Sequence, residues 1–151
     1  MQFLEVVEID AELTKRASLI KATIAVVLGT YLAILAFVFG FLLWQTITVH
    51  LEDSTAQTAI LVALALMATA WGGYVASWFN YYRNSRLLGL LVGISLYLVS
   101  VLLLTIAPGY FSSVLPFAQG ESALAGLQGI VPPLIAGALG GWIAEHRNKL
   151  Y

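Results

Sequence analysis

Glu145, His146 and Arg147 stand side by side late in the chain, and Arg83 and Arg86 are charges a returning segment could bring beside them. A carboxylate, an imidazole and guanidinium groups in one place are the raw material of general acid–base catalysis. Glu52 and Asp53 with Ser54, close after His50, form a second polar group, able to attract a cation. Each set has a simpler reading. Charges that flank long apolar runs anchor them at lipid headgroups, and Asp53 or Ser54 fits an N-cap for the run that follows. The chain has no cysteine, which removes disulfides, thiol catalysis and Cys-based metal sites. There is no phosphate-cradling glycine loop, no H-E-x-x-H and no G-x-S-x-G. We therefore expect no enzyme, no bound cofactor and no metal site.

A third oddity is "QGIVPPLIAG". Pro132 and Pro133 lack N–H groups and crowd the carbonyls four residues back, at Gln128 and Gly129. A kink with Gln128, Ser95 or Ser100 satisfying those carbonyls is one reading. The other is a discontinuous helix with Gln128, Pro132 and Pro133 lining a solute pathway.

Everything else in the chain concerns the elements that hold these residues. The composition is 60% hydrophobic and 10% charged, with mean hydropathy +0.90. Soluble domains are about 45–50% apolar and about 25% charged, and a fold this small leaves roughly a third of its unfolded area exposed. So much apolar surface needs a bilayer. The net charge of −1 gives no basic face for nucleic acid. The opening "MQFLEVVEIDAELT" is acidic and does not read as a cleaved signal.

A helix crosses the roughly 30 Å hydrocarbon core with about 20 apolar residues. Four windows fit, at about 22–44, 56–79, 87–107 and 123–144, and none contains Asp, Glu, Lys, Arg or His. The expected fold is all-α, a single polytopic membrane domain of four transmembrane helices. Residues 1–16 form an N-terminal segment outside the spans, and 108–122 an interfacial loop rather than a re-entrant one. All seven Lys and Arg residues fall at the N-terminus, in the 2–3 connection or at the C-terminus. The positive-inside rule then places both termini in the cytoplasm. Trp44, Trp78, Tyr81 and Tyr82 stand at span ends as interfacial aromatics.

Glycine weakens a helix by roughly 1 kcal/mol relative to Ala, yet "WGGYVAS" and "GGWIAE" repeat an adjacent pair in spans 2 and 4. Apolar helices gain nothing from hiding Leu from lipid, so they associate where small residues let backbones approach. Tracks of such residues recur every four positions. They run Ala25, Gly29, Ala33 in span 1 and Ala65, Thr69, Gly73, Ser77 in span 2, with Ala68, Gly72, Ala76 alongside. Span 3 has Gly89 and Gly93; span 4 has Gly129, Pro133, Gly137 and Gly141. Gly72, Gly73, Gly140 and Gly141 are the positions expected to meet a neighbour at backbone range, either inside the bundle or at an interface with another chain. The echo also suggests two helical hairpins in tandem, both entering from the same side.

With "RLLGLLVG" opening the third span and "GGYVAS" and "GGWIAE" closing the second and fourth, residues 17–147 resemble a group of uncharacterised prokaryotic four-helix membrane proteins marked by a GG-x-x-A/G helical turn. Ser77 stands where that group would carry glycine, and the 3–4 loop is longer than in that group. The resemblance implies no known activity; the expected setting is a bacterial or archaeal cytoplasmic membrane. The functional expectation is association, as a homo-oligomer or an accessory subunit of a larger membrane assembly. The alternative is a channel or small-solute transporter built on the proline-bearing fourth span.

Overall fold

The computed structural model describes residues 2–48, 54–80, 84–106 and 123–148. They form four helices: α1 (Gln2–Thr48), α2 (Ser54–Phe79), α3 (Ser85–Ile106) and α4 (Ala123–Asn148). His50, Glu52, Asp53, Tyr81, Tyr82, Arg83 and the 108–122 loop lie outside the described residues, as do the side chains of Lys15 and Gln128.

Among the described residues three helical stretches are long and apolar enough to cross a membrane: Arg16–Thr46, Thr55–Phe79 and Ser85–Ile106. α4 is not among them; it carries two prolines and ends in Glu145-His146-Arg147. The N-terminal segment, expected outside the spans, continues the helix of the first span from Gln2 onward. At 47 residues, a helix rising about 1.5 Å per residue reaches about 70 Å, more than twice the hydrocarbon thickness.

The helices do not all touch. α4 packs on both α2 and α3, α1 packs on α2 and more thinly on α3, and no α1–α4 contact occurs among the described residues. The α2–α3 pair therefore separates the first helix from the last. Burial follows: α1's apolar stretch is 11% buried and α2's is 33%. Trp44 ties the far end of α1 to the start of α2, its Nε1–H donating to the Gln57 carbonyl at 3.2 Å. Phe37, Phe41 and Trp44 stack in sequence along that part of α1.

The core is built from small side chains. Ala25, Ala33, Ala76 and Ala144 are at most 1% exposed, and the largest fully buried side chains are Leu88, Val92 and Ser77. Bulky residues such as Phe39, Met67, Trp71 and Trp78 face outward. That is the inverse of a soluble core, and it follows from the solvent. Where lipid tails solvate Leu as well as protein does, close backbone packing is what remains to hold helices together.

The turn into α3 depends on one backbone conformation. Asn84 has φ 54°, and its carbonyl accepts the Leu88 N–H at 3.0 Å. Left-handed backbone costs most L-residues about 1–2 kcal/mol, and Asn tolerates it better than branched residues. Asn84→Val is accordingly expected to destabilise the bundle by about 1–2 kcal/mol, whereas Asn84→Gly is expected to leave it unchanged. Thermal unfolding in detergent separates the two variants.

Candidate functional site

The adjacent glycines of α2 and α4 lie where helices meet at backbone distance. Successive residues on a helix point about 100° apart, so a Gly-Gly pair opens two faces rather than one. In α2 the two faces serve different partners. A Cβ on Gly72 would meet the Gly29 carbonyl, Ala33 Cβ and Val92 of α3; one on Gly73 would overlap the Gly137 backbone of α4. The track Ala68, Gly72, Ala76 is thus the seam to α1. Gly73 and Ser77, on the neighbouring track, form the seam to α4.

α4 repeats the device with its own neighbours. Gly140 sits on the Ala70 backbone of α2, and Gly141 sits on the Ser85 carbonyl of α3 with Ser77 Oγ 3.2 Å from its Cβ position. Further along α4, Gly137 faces Gly89 and Pro133 faces Gly93, backbone to backbone. Such mutual approach is the geometry of Cα–H···O contacts between helices, a modest attraction beside the dispersion gained. Two tracks result: Pro133, Gly137, Gly141 toward α3, and Ala136, Gly140, Ala144 toward α2, with Ala136 and Ala144 both buried. The second track was not singled out from sequence as a row, although its four-residue spacing was there to read.

Ser77 stands at the junction of α2, α3 and α4. It is completely buried, and its Oγ lies 2.8 Å from the Gly73 carbonyl and 3.0 Å from that of Ser85. One hydroxyl proton serves both acceptors in turn, and the second tethers the start of α3 to the end of α2. Where glycine would give only closeness, serine adds a directional bond. Thr69, the other buried hydroxyl on this face, donates to its own helix at Ala65.

Pro133 is buried in the α3 seam, and α4 is helical through both prolines. Ser100 does not serve the carbonyls the prolines strand: its hydroxyl donates to Leu96, one turn back on α3, at 2.9 Å. The Gly73–Gly137–Gly89 convergence closes the α2/α3/α4 contact at backbone range.

The charged residues near the end of α4 are spread around its last turns. Arg86 pairs with Glu145 at 3.4 Å, linking α3 to α4. Arg147 Nη1 donates to the Tyr74 hydroxyl at 3.1 Å, linking α4 to α2. His146 lies on the Trp142 ring with centroids 4.2 Å apart, and its Nδ1 is 3.2 Å from the Trp142 carbonyl. A surface ion pair of this kind contributes about 0–1 kcal/mol, so these contacts fix the register of a helix end more than they hold it. Among the described residues no three His, Asp or Glu side chains come together.

Comparison with family models, curated proteins and solved structures finds no match to this chain. The likeness to glycine-motif membrane proteins therefore rests on the residues alone.

Proposed function

We propose that this protein is a small multi-pass protein of a prokaryotic cytoplasmic membrane that works by association, as a homo-oligomer or as an accessory subunit of a larger membrane assembly. In this reading α4 is a fourth span, both termini are cytoplasmic, and the chain is a scaffold rather than an enzyme. The observation that carries it is where the interior's polar capacity goes. Among the described residues the buried polar side chains are Thr69, Ser77 and Ser85, and the Thr69 and Ser77 hydroxyls are directed at backbone carbonyls. An interior committed to holding helices together leaves function to the outer surface. Val131, Ile135, Leu139 and Trp142 form an exposed apolar row on α4, which supports lipid contact for that helix. The backbone-range seams of α4 with α2 and α3 favour a scaffold over a solute conduit between these helices.

The surface for association is then α1, which has α2 and α3 on one side and none of the described helices on the other. Tyr31, Leu35, Val38 and Leu42 are exposed there at helical spacing. Because the chain has no cysteine, Leu35→Cys gives a single reporter. Oxidation in native membranes is expected to yield a disulfide-linked dimer, and light scattering in mild detergent a mass at least twice that of one chain. A strictly monomeric protein with no stoichiometric companion would remove the basis for this reading.

A further inference from the structure

The α1–α3 contact is the thinnest between touching helices, and beside it lies an open groove of about 950 Å³. Its floor is Ala22, Val26 and Leu88, and its rims include Leu19 on α1 and Leu91 on α3. The hydroxyl of Thr23, which also borders it, donates to the Leu19 carbonyl at 3.0 Å, so this wall presents methyl and methylene groups. One end differs. There Arg16 of α1 meets Asn80 and Asn84 of the turn between α2 and α3 to form a polar mouth, and no carboxylate is among the described lining residues.

Length supplies a second constraint. The lining runs from Arg16 to Val27 on α1 and from Asn84, at the turn into α3, to Ser95, which at about 1.5 Å per residue is about 17 Å. Half of the roughly 30 Å hydrocarbon core is about 15 Å. A groove one leaflet deep, apolar along most of its length with the small hydroxyls of Ser18 and Ser95 at its two ends, and cationic at its headgroup end, has the dimensions and polarity of a single phospholipid.

We propose that the α1–α3 groove is a binding site for one anionic phospholipid, its phosphate held at Arg16 with the Asn80 and Asn84 amides and its acyl chain laid along Leu19, Ala22, Val26 and Leu91. A zwitterionic lipid fits the same walls but gains less at the mouth, because its own cation opposes Arg16. The site rests on membrane placement and not on association, since a single chain carries all of its residues.

The test is native mass spectrometry of the full chain released from detergent in an equimolar mixture of phosphatidylglycerol and phosphatidylcholine of identical acyl chains. Preferential retention of one phosphatidylglycerol per chain is expected. A basic residue near an anionic headgroup changes lipid affinity about fivefold, so Arg16→Gln should lower the preference about fivefold, and Arg16→Lys should keep it. Filling the groove with Thr23→Trp and Leu91→Trp, both at exposed positions, should abolish retention of either lipid while the melting temperature stays near that of the parent. Equal retention of the two lipids, indifference to Arg16→Gln, retention unchanged by groove filling, or displacement by millimolar inorganic phosphate each overturns the proposal. The same spectra give the number of chains per particle, so a monomer that still holds phosphatidylglycerol removes the association reading and leaves this one standing.

Discussion

Gly137→Leu is expected to push α4 away from α3, at a cost of about 3 kcal/mol or more. Added side-chain volume in a packed core typically costs about 1–3 kcal/mol because neighbouring side chains shift to make room. Here the obstacles are not side chains. A Cβ on Gly137 meets the Gly89 carbonyl and the Gly93 nitrogen, and Gly73 and Gly89 in turn face the Gly137 carbonyl. Backbone atoms have no rotamer to change, so relief comes only by translating a helix. Gly40 is the control. A Cβ there meets only the Leu64 side chain, at 3.3 Å, and Leu64 can move. Gly40→Ala should therefore be neutral or gain up to about 1 kcal/mol from helix propensity. Thermal unfolding in one detergent compares the two; similar effects at both positions would refute the seam.

Gly72→Leu is expected to release α1 while α4 remains docked, at a cost of about 2–3 kcal/mol. Its Cβ position is hemmed in by the Gly29 carbonyl, Ala33 Cβ and Val92, which belong to α1 and α3 and not to α4. Two pairs of introduced cysteines report the outcome in a chain that has none of its own. Gly40→Cys with Leu64→Cys reads the α1–α2 contact, and Arg86→Cys with Glu145→Cys reads α3–α4 at a site where the native side chains approach to 3.4 Å. Gly72→Leu should suppress the first cross-link and spare the second. Gly137→Leu should do the opposite. Loss of both links in either variant would mean that the bundle comes apart as one unit instead of at separable seams.

Much of this seam was legible before any coordinates, because spacing alone puts residues on a face. The Ala25, Gly29, Ala33 row and both small-residue rows of α2 could be read from their four-residue repeat. Their partners could not be read that way. In a lipid-soluble chain every face is apolar, and hydrophobicity, which orients helices in a soluble protein, gives no direction here. So the sequence suggests close approach at Gly72 and Gly73 without saying that one meets α1 and the other α4. It likewise does not show that Gly140 and Gly141 divide between α2 and α3. The partners of the charged residues near the end of α4 were hidden too: Glu145, His146 and Arg147 are neighbours in sequence but point around a helix to Arg86, Trp142 and Tyr74. The continuity of α1 was also hidden, since the acids among its first turns suggest a break where the backbone continues helical.

The position of α4, seated on α2 and α3 and out of reach of α1, has a consequence for biogenesis. Ribosomes deliver helices in order, so the first three are inserted while the bed for the fourth is still bare backbone at Gly73, Gly89 and Gly93. Until α4 settles there, that strip has no helix across it. The seating of α4 is then a late event, the fall of a keystone, which covers three glycines of two earlier helices at once.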